Sequence, residues 1–446
     1  MTRSSPPHEA SPSLAISKHS PPHRTPSQAP SLNMDEILYM ARILETKDLL
    51  HLIQTCRALY VAGIPLLARH IKLRLDFYIE ADRPVADIFS SFCSFFEADH
   101  GRRCRYLQVL DIIPTYHHDH RKKLLRPRGL SENLVRLARI LQQCSNMRYL
   151  ALRDRTAEEF VQVPDLLEAL GSLHSLRQVS VYQEVDPSFV YSDAIPVLQS
   201  IVSPVTSVYL DDGRYNDHDN KDIEYRSSVV KAFGHLSSTL EILRAAHPAF
   251  DDEDCDSLIF PKLTNFTTAH SILGDLVTSR FMRMFPRLQV LNFGALSQED
   301  SEDILLHDSD SHAHDEMRSI RERNKESQKE DRWATLDVVN ADILTLYALA
   351  LVGPIRHVEL LGILQSDNLH LDMWSAILRD SLASTVTIRV NTQCFDLGVL
   401  PSIAPRNHPL THLDLTIVFD SERGDRDRRM FWVRLHLYGI KHSSGS

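Results

Sequence analysis

MRYLALR (147–153), LRQVSVY (176–182) and VTSVYLD (205–211) share one pattern, apolar-x-x-apolar-x-apolar, and begin 29 residues apart each time. The last three positions of the pattern alternate apolar, polar, apolar, the period-two signature of a short strand with one buried face. Working outward, the same registers return at Leu240, Leu243, Ala245; Leu263, Phe266, Thr268; Leu288, Leu291, Phe293; Ile355, Val358, Leu360; Thr385, Ile388, Val390; and Leu410, Leu413, Leu415. The steps between starts are 29, 29, 35, 23, 25, 67, 30 and 25 residues. Two earlier and weaker candidates are Ile71-Lys72-Leu73-Arg74-Leu75 and Leu107-Gln108-Val109.

Stretches with helical apolar spacing precede these strands: Leu134, Leu137, Ala138, Leu141; Ile195, Leu198, Ile201, Val202; Leu276, Phe281, Met282, Phe285. Alternation of strand and helix predicts parallel pairing. One such unit buries a single strand face and a single helix stripe, so it is stable only when neighbours stack on it. The long step of 67 residues contains Ser297 to Arg332, where twelve acidic and six basic residues accompany few apolar ones. We read 297–332 as a disordered, solvated acidic insertion, helical in part near Met317 to Glu330, which carries much of the chain's net charge of −10.

The block over residues 71–440 resembles the leucine-rich-repeat superfamily in its irregular, helix-containing form. The Asn or Cys that usually follows the second Leu of the strand is replaced, by Arg153, Tyr182 and Asp211 in three units. The resemblance implies an α/β solenoid with a parallel sheet; an ordinary α/β domain with coincidental spacing is the alternative. On either face of a strand side chains alternate by two, so the residues between the core positions point to the concave surface. Those assigned to substrate binding are Tyr149, Arg153, Tyr182, Tyr209, Asp211, Arg244 and Arg389, with Gln178, Asn292, His357, Glu359 and Asp414 on the same face. Tyrosine, arginine and both signs of charge suit a protein partner.

Ahead of the repeats lies LNMDEILYMARILETKDLLHLIQTCRALYVAGIPLLARHI, residues 32–71. It reads as three short helices: Ile37, Leu38, Ala41 and Leu44 fall at helical spacing in the first, and Thr46 is placed to cap a second that carries Leu49, Leu52, Ile53 and Cys56. About 40 residues cannot hide this much apolar surface among themselves, and burying each Leu or Ile contributes roughly 1.5 to 3 kcal/mol, so a partner or neighbouring domain is expected.

Residues 32–70 resemble the F-box, in the variants abundant in fungal proteins that also carry degenerate leucine-rich repeats. Leu32 matches the opening Leu; Asp35 the acidic position; Ile37, Leu38, Met40 and Leu44 the first helix; Asp48-Leu49-Leu50 with Leu52 the second block; and Cys56-Arg57 the third. Asn33 stands where a Pro is expected and Leu59-Tyr60 where a Trp is common. The resemblance implies a substrate receptor of an SCF-type ubiquitin ligase, in which the residues from Leu32 to Cys56 just named dock on a Skp-family adaptor and through it a cullin, while the repeats hold an unknown protein substrate. Such a receptor is not an enzyme and needs no cofactor; it raises the effective concentration of a target lysine near the charged conjugating enzyme. The alternative is a non-enzymatic scaffold whose N-terminal helices cap the repeat core.

The rest of the chain excludes other classes. Hydrophobic residues at 43% and charged ones at 24% are those of a packed protein. The longest uncharged apolar run, Ile343 to Val352, is too short to span a bilayer. The sign of the net charge speaks against nucleic acid or a membrane surface as partner. Residues 1–31 hold seven prolines, eight serines and one acid, and are expected to be a disordered tail with neither a secretory nor a mitochondrial leader, as are the last residues 441–446. The six cysteines are scattered without a C-x-x-C pair, which suits the cytosol or nucleus and gives no structural metal site. His117-His118-Asp119-His120, Asp211 to Asp222 and Asp251 to Asp254 read as polar loops, because consecutive residues cannot all face one ion and Gly213 is misplaced for a calcium loop. No phosphate-cradling glycine motif and no G-x-S-x-G elbow is present.

Overall fold

The computed structural model of the chain describes residues 34–76, 85–115, 130–153, 156–182, 190–211, 227–245, 248–250, 253–268, 277–294, 311–329, 332–334, 336–364, 368–391, 409–419 and 429–436. The tail at 1–31, Leu32, the first part of the acidic segment (297–310) and residues 441–446 lie outside the described residues. The chain divides into two units, residues 1–63 and 64–446.

The first unit is helical: α1 (Met34–Ile43), α2 (Thr46–Ile53) and the beginning of α3 (Arg57–Arg69). Thr46 is the first residue of α2 and not its cap; Glu45 holds the cap position in extended backbone without a side-chain bond. Cys56 immediately precedes α3, where its Sγ accepts the Leu59 N–H at 3.5 Å and its carbonyl accepts the Tyr60 N–H at 3.0 Å. Ala41, Leu49, Ile53 and Leu59 are buried. Gly63 permits a close approach of α3 to α2, since a Cβ there would fall 2.1 Å from Ile53 Cγ2.

The second unit is α/β. Its strands are β1 (His70–Asp76), β2 (Val109–Thr115), β3 (Tyr149–Arg153), β4 (Gln178–Tyr182), β5 (Ser207–Asp211), β6 (Ser227–Ser228), β7 (Ile242–Ala245), β8 (Pro248–Ala249), β9 (Asn265–Thr268), β10 (Val290–Phe293), β11 (Val338–Ala341), β12 (His357–Leu364), β13 (Thr385–Asn391), β14 (His412–Phe419) and β15 (Arg429–His436). Its further helices are α4 (Val85–Glu97), α5 (Leu130–Gln142), α6 (Thr156–Val161), α7 (Pro164–Gly171), α8 (Val190–Ser200), α9 (Val229–Phe233), α10 (Thr278–Met284), α11 (Ser311–Ser327), α12 (Ile343–Leu349) and α13 (Asn368–Ser381). Among the described residues, thirteen strands form one open sheet whose order is the order of the chain; β6 and β8 pair apart from it. All neighbours are parallel except β14 and β15, which are antiparallel.

A single register row joins the repeats: Leu110, Leu150, Val179, Val208, Leu243, Phe266, Leu291, Val339, Val358, Val386 and Leu413 are paired in turn. All of them are buried in one continuous core that also takes in the helical stripes Leu134, Leu137, Ala138, Leu141 and Phe281, Phe285. Val202, expected in such a stripe, lies past the end of α8 and is exposed.

Two readings of the repeat are corrected by the register. The 67-residue step is no single unit with an insertion: Leu336, Val339 and Ala341 form a further copy of the pattern on β11, which lies between β10 and β12. The copy at Thr385, Ile388, Val390 is two residues out of phase, because Val386 and not Ile388 pairs with Leu413; the unit is Ala383, Val386, Ile388. TVTIRV alternates for six residues, and a pure alternation carries no phase.

The acidic segment is corrected as well, since its second part is a helix built into the fold. Met317 and Ile320 of α11 pack on Ala348 of α12. The remaining buried residues of α11 are polar and act on the end of α12, where the last carbonyls of a helix have no partner within it. Arg321 Nη1 donates to the Tyr347 carbonyl at 2.6 Å, Asn324 Nδ2 to that of Ala348 at 2.8 Å, and Gln328 Nε2 to those of Leu349 and Ala350 at 3.1 and 2.9 Å. Gln328 Oε1 accepts the Val352 N–H at 3.0 Å, and Arg321 forms a buried ion pair with Asp380 of α13. Replacing Gln328 by Leu removes the donor to the Ala350 carbonyl and the acceptor of the Val352 N–H, while the Leu349 carbonyl keeps Thr278 Oγ1, and we expect a loss of about 2 to 4 kcal/mol in urea unfolding. Deleting residues 311–329 is expected to lower the urea midpoint; an unchanged midpoint would show that the helix contributes nothing to the fold.

Candidate functional site

Two surfaces take up the residues singled out by sequence. On the helical unit, the expected adaptor contacts fall into different environments. Asp35, Leu38 and Met40 lie in α1 with side chains outside the described residues. Ile37 and Leu52 are half-buried, and Leu44, Asp48 and Cys56 are exposed. Leu49, at 5% exposure, belongs to the unit's own core beside Ile53 and Gly63. The surface instead carries Tyr39, Ile43, Leu50, Tyr60 and Val61 along with Leu44. Six of the nine exposed large apolar side chains among the described residues therefore fall within residues 39–61, a concentration that solvent alone does not favour. Of these, Leu44 is among the expected contacts and Leu50 and Tyr60 lie within the matched pattern, while Tyr39, Ile43 and Val61 were not singled out; Leu49 and Leu50 are adjacent and apolar, and only packing separates the inner from the outer one.

On the sheet, the residues between core positions line the other face, as strand alternation requires. Tyr149, Arg153, Gln178, Tyr182, Tyr209, Arg244, Asn292, His357, Glu359 and Arg389 are all half-buried there. Asp211 pairs through its backbone with Tyr182 at the end of β5; its side chain lies outside the described residues. Arg153 is held from two sides: its Nε is 3.2 Å from Asp111 Oδ1, and its guanidinium stands 4.9 Å from the centre of the Tyr182 ring. A planar guanidinium can hold a carboxylate at its edge and a ring against its face at once. Burial holds the Tyr149 hydroxyl above the ordinary phenol value.

Asp111 was not anticipated. The signal was present in Leu107, Leu110 and Ile112, the pattern on β2, where Asp111 is the residue between the last two. Further along the same face, polar side chains link strand to strand. Asn292 Nδ2 donates to Thr267 Oγ1 at 3.2 Å, Asn340 Nδ2 to Asn292 Oδ1 at 2.8 Å, and His357 Nε2 lies 2.9 Å from Thr387 Oγ1. Thr267, Asn292, Asn340, Glu359 and Thr387 occupy one register row.

Among the described residues, no group of three or more His, Cys, Asp or Glu is placed to hold a metal ion. The His117 to His120 run lies outside the described residues, as does most of the Asp211 to Asp222 stretch. Cys93, Cys104, Cys144 and Cys255 are buried free thiols, and burial pushes the Cys93 thiol up to about 12, which keeps it protonated and unreactive near neutral pH. No helix among the described residues is long and apolar enough to cross a membrane.

No family model and no curated protein sequence matches the chain.

Removing Arg153 leaves the Asp111 carboxylate, 6% exposed, without its cation. We expect Arg153→Ala to cost about 1 to 3 kcal/mol in urea unfolding, and Arg153→Ala with Asp111→Ala to cost less than the sum of the two single changes. Strict additivity would mean that the pair is not coupled.

Proposed function

We propose that the chain is the substrate-recognition subunit of an SCF-type cullin-RING ubiquitin ligase, with an F-box-like helical unit that docks on a Skp-family adaptor and a degenerate leucine-rich-repeat-like solenoid that holds a protein target. The observation that carries this reading is the exposed apolar set on the first unit. Tyr39, Ile43, Leu50, Tyr60 and Val61 stand in solvent on a unit whose described core is four residues. Burying side chains of this size is worth roughly 1.5 to 3 kcal/mol each, so an apolar partner surface would be strongly favoured.

The sheet supports the second half of the reading. Strands added in chain order, each carrying the same apolar triplet, are what a stack of repeats requires. Its tyrosine- and arginine-bearing face has the composition of protein-binding surfaces. In this reading the protein breaks no bond. It holds a target near a ubiquitin-charged enzyme, and the rate gain is that of proximity.

The test is co-expression with a Skp-family adaptor, followed by size-exclusion chromatography. A stoichiometric complex is expected. Ile43→Asp with Val61→Asp should abolish it while leaving the thermal transition of the chain in place, because both positions are exposed. Leu49→Asp is unsuited to this purpose, since it strikes the core of the unit. A receptor that folds alone and does not co-elute would overturn the proposal in favour of a scaffold.

A further inference from the structure

The polar face of the sheet is electrically divided. Strands β1 to β7 present Lys72 and Arg74, both exposed, together with Arg153 and Arg244. Against these four cations stand Asp111, which is buried against Arg153, Asp76 at the end of β1 and Asp211 at the end of β5, so that the cations are in excess by one and the exposed ones are Lys72 and Arg74. Strands β9 to β14 offer a different inventory. Amides and hydroxyls dominate there, and Arg389 is offset by Glu359 and Asp414. A cationic field thus sits on one half of one face of a chain whose net charge is −10.

The register fixes how these groups are spread. Lys72, Asp111, Ala151, Ser180, Tyr209 and Arg244 form one row across β1, β2, β3, β4, β5 and β7. At a strand spacing of about 4.8 Å the row is about 24 Å long, the reach of an extended segment of about seven residues. Cations lie at both ends, Lys72 and Arg74 at one and Arg244 at the other. Between them Tyr209 and the Arg153–Tyr182 pair supply flat, amphipathic contact area of the kind that anchors protein interfaces.

Resting on the reading of this face as the target-binding surface, we propose that the half formed by β1 to β7 binds an acidic, extended stretch of the target polypeptide, with Lys72, Arg74 and Arg244 as its charge-complementary contacts. A polypeptide and not a nucleic acid is the occupant that the surface favours. Three tyrosines in consecutive strands want apolar and amide partners as well as charge, and the acidity of the chain as a whole opposes a polyanionic backbone. Lys72 and Arg74 are missing from the set of residues expected by sequence, because β1 carries the weakest copy of the pattern.

The experiment uses the full chain and fluorescence polarisation with labelled octaglutamate, octalysine and a Gly-Ser octapeptide as probes, with oligothymidylate as the competing polyanion. Octaglutamate is expected to bind more tightly than the other two peptides and to weaken as NaCl is raised from about 50 to about 300 mM. Lys72→Glu with Arg74→Glu should reduce its affinity on the order of tenfold, since rim charges tune encounter and affinity without holding the fold. Arg244→Gln provides a second, milder variant. Lys262→Glu with Arg287→Glu, exposed in turns ahead of β9 and β10, serves as the charge-matched control and should leave binding as it was. Arg153 is left intact in all of them because its loss strands Asp111.

Octaglutamate binding no tighter than that of the Gly-Ser peptide would overturn the inference, as would binding indifferent to the Lys72 and Arg74 changes in protein with an unaltered thermal transition. Oligothymidylate that binds more tightly than octaglutamate, with the same dependence on those residues, would make the surface a nucleic-acid site and overturn it too. Adaptor co-elution is read separately on the same preparations. Its absence refutes the ligase reading and leaves the peptide result standing, so the two failures are distinct.

Discussion

Every strand from β1 to β14 in the large sheet finds its backbone partners on its neighbours in the chain and nowhere else. In six units the pairing begins one residue early, in the turn ahead of the strand: Arg177 N–H donates to the Arg148 carbonyl, Thr206 to Arg177, Glu241 to Thr206, Thr264 to Glu241, Gln289 to Thr264 and Asp337 to Gln289, all at 2.8–2.9 Å; in β12 it begins with the first residue, His357, which donates to Asp337 at 2.8 Å. Because these bonds lock the phase of each unit to the one before, every apolar triplet falls into the core and every intervening residue falls on the opposite face. A slip of one residue in any unit would turn its Leu and Val out and its Arg and Tyr in. The polar surface is thus a product of the register, and its chemistry follows from whatever residue the chain places between the two buried positions.

The two units handle apolar surface in opposite ways. The second unit closes on itself, with a core that runs from Ala68 to Ile417. The first has Ala41, Leu49, Ile53 and Leu59 inside and a larger apolar set outside. A close approach at Gly63 is what lets even that small core form.

Most of the fold could be read from residues alone where the pattern was regular. The copies on β3, β4 and β5 are equally spaced and have large apolar groups at all three positions, so period and phase agree. Where that regularity failed, so did the reading. β11 ends its triplet on Ala341, too small to stand out, and comes only 19 residues before the next copy at Ile355. α11 was taken for a solvated segment because, beside Met317 and Ile320, the residues it and its end bury are Arg321, Asn324 and Gln328, which composition assigns to water. At the candidate surfaces the face of each strand could be read, since alternation decides it. The outward side of the helical unit could not, since Leu49 and Leu50 differ only in what packs against them. Asp111 and the two β1 cations were hidden by the weakness of the first two copies.

The bonds by which α11 and Gln328 close the end of α12 all reach main-chain groups: the oxygens of Tyr347, Ala348, Leu349 and Ala350, and the N–H of Val352. A carbonyl is present whatever the side chain, so these contacts place no demand on which residues α12 carries at those positions. The demand falls wholly on the donor helix, where the length and amide or guanidinium chemistry of three side chains must match. The segment that looks most like dispensable polar filler therefore carries side chains that the end of α12 requires.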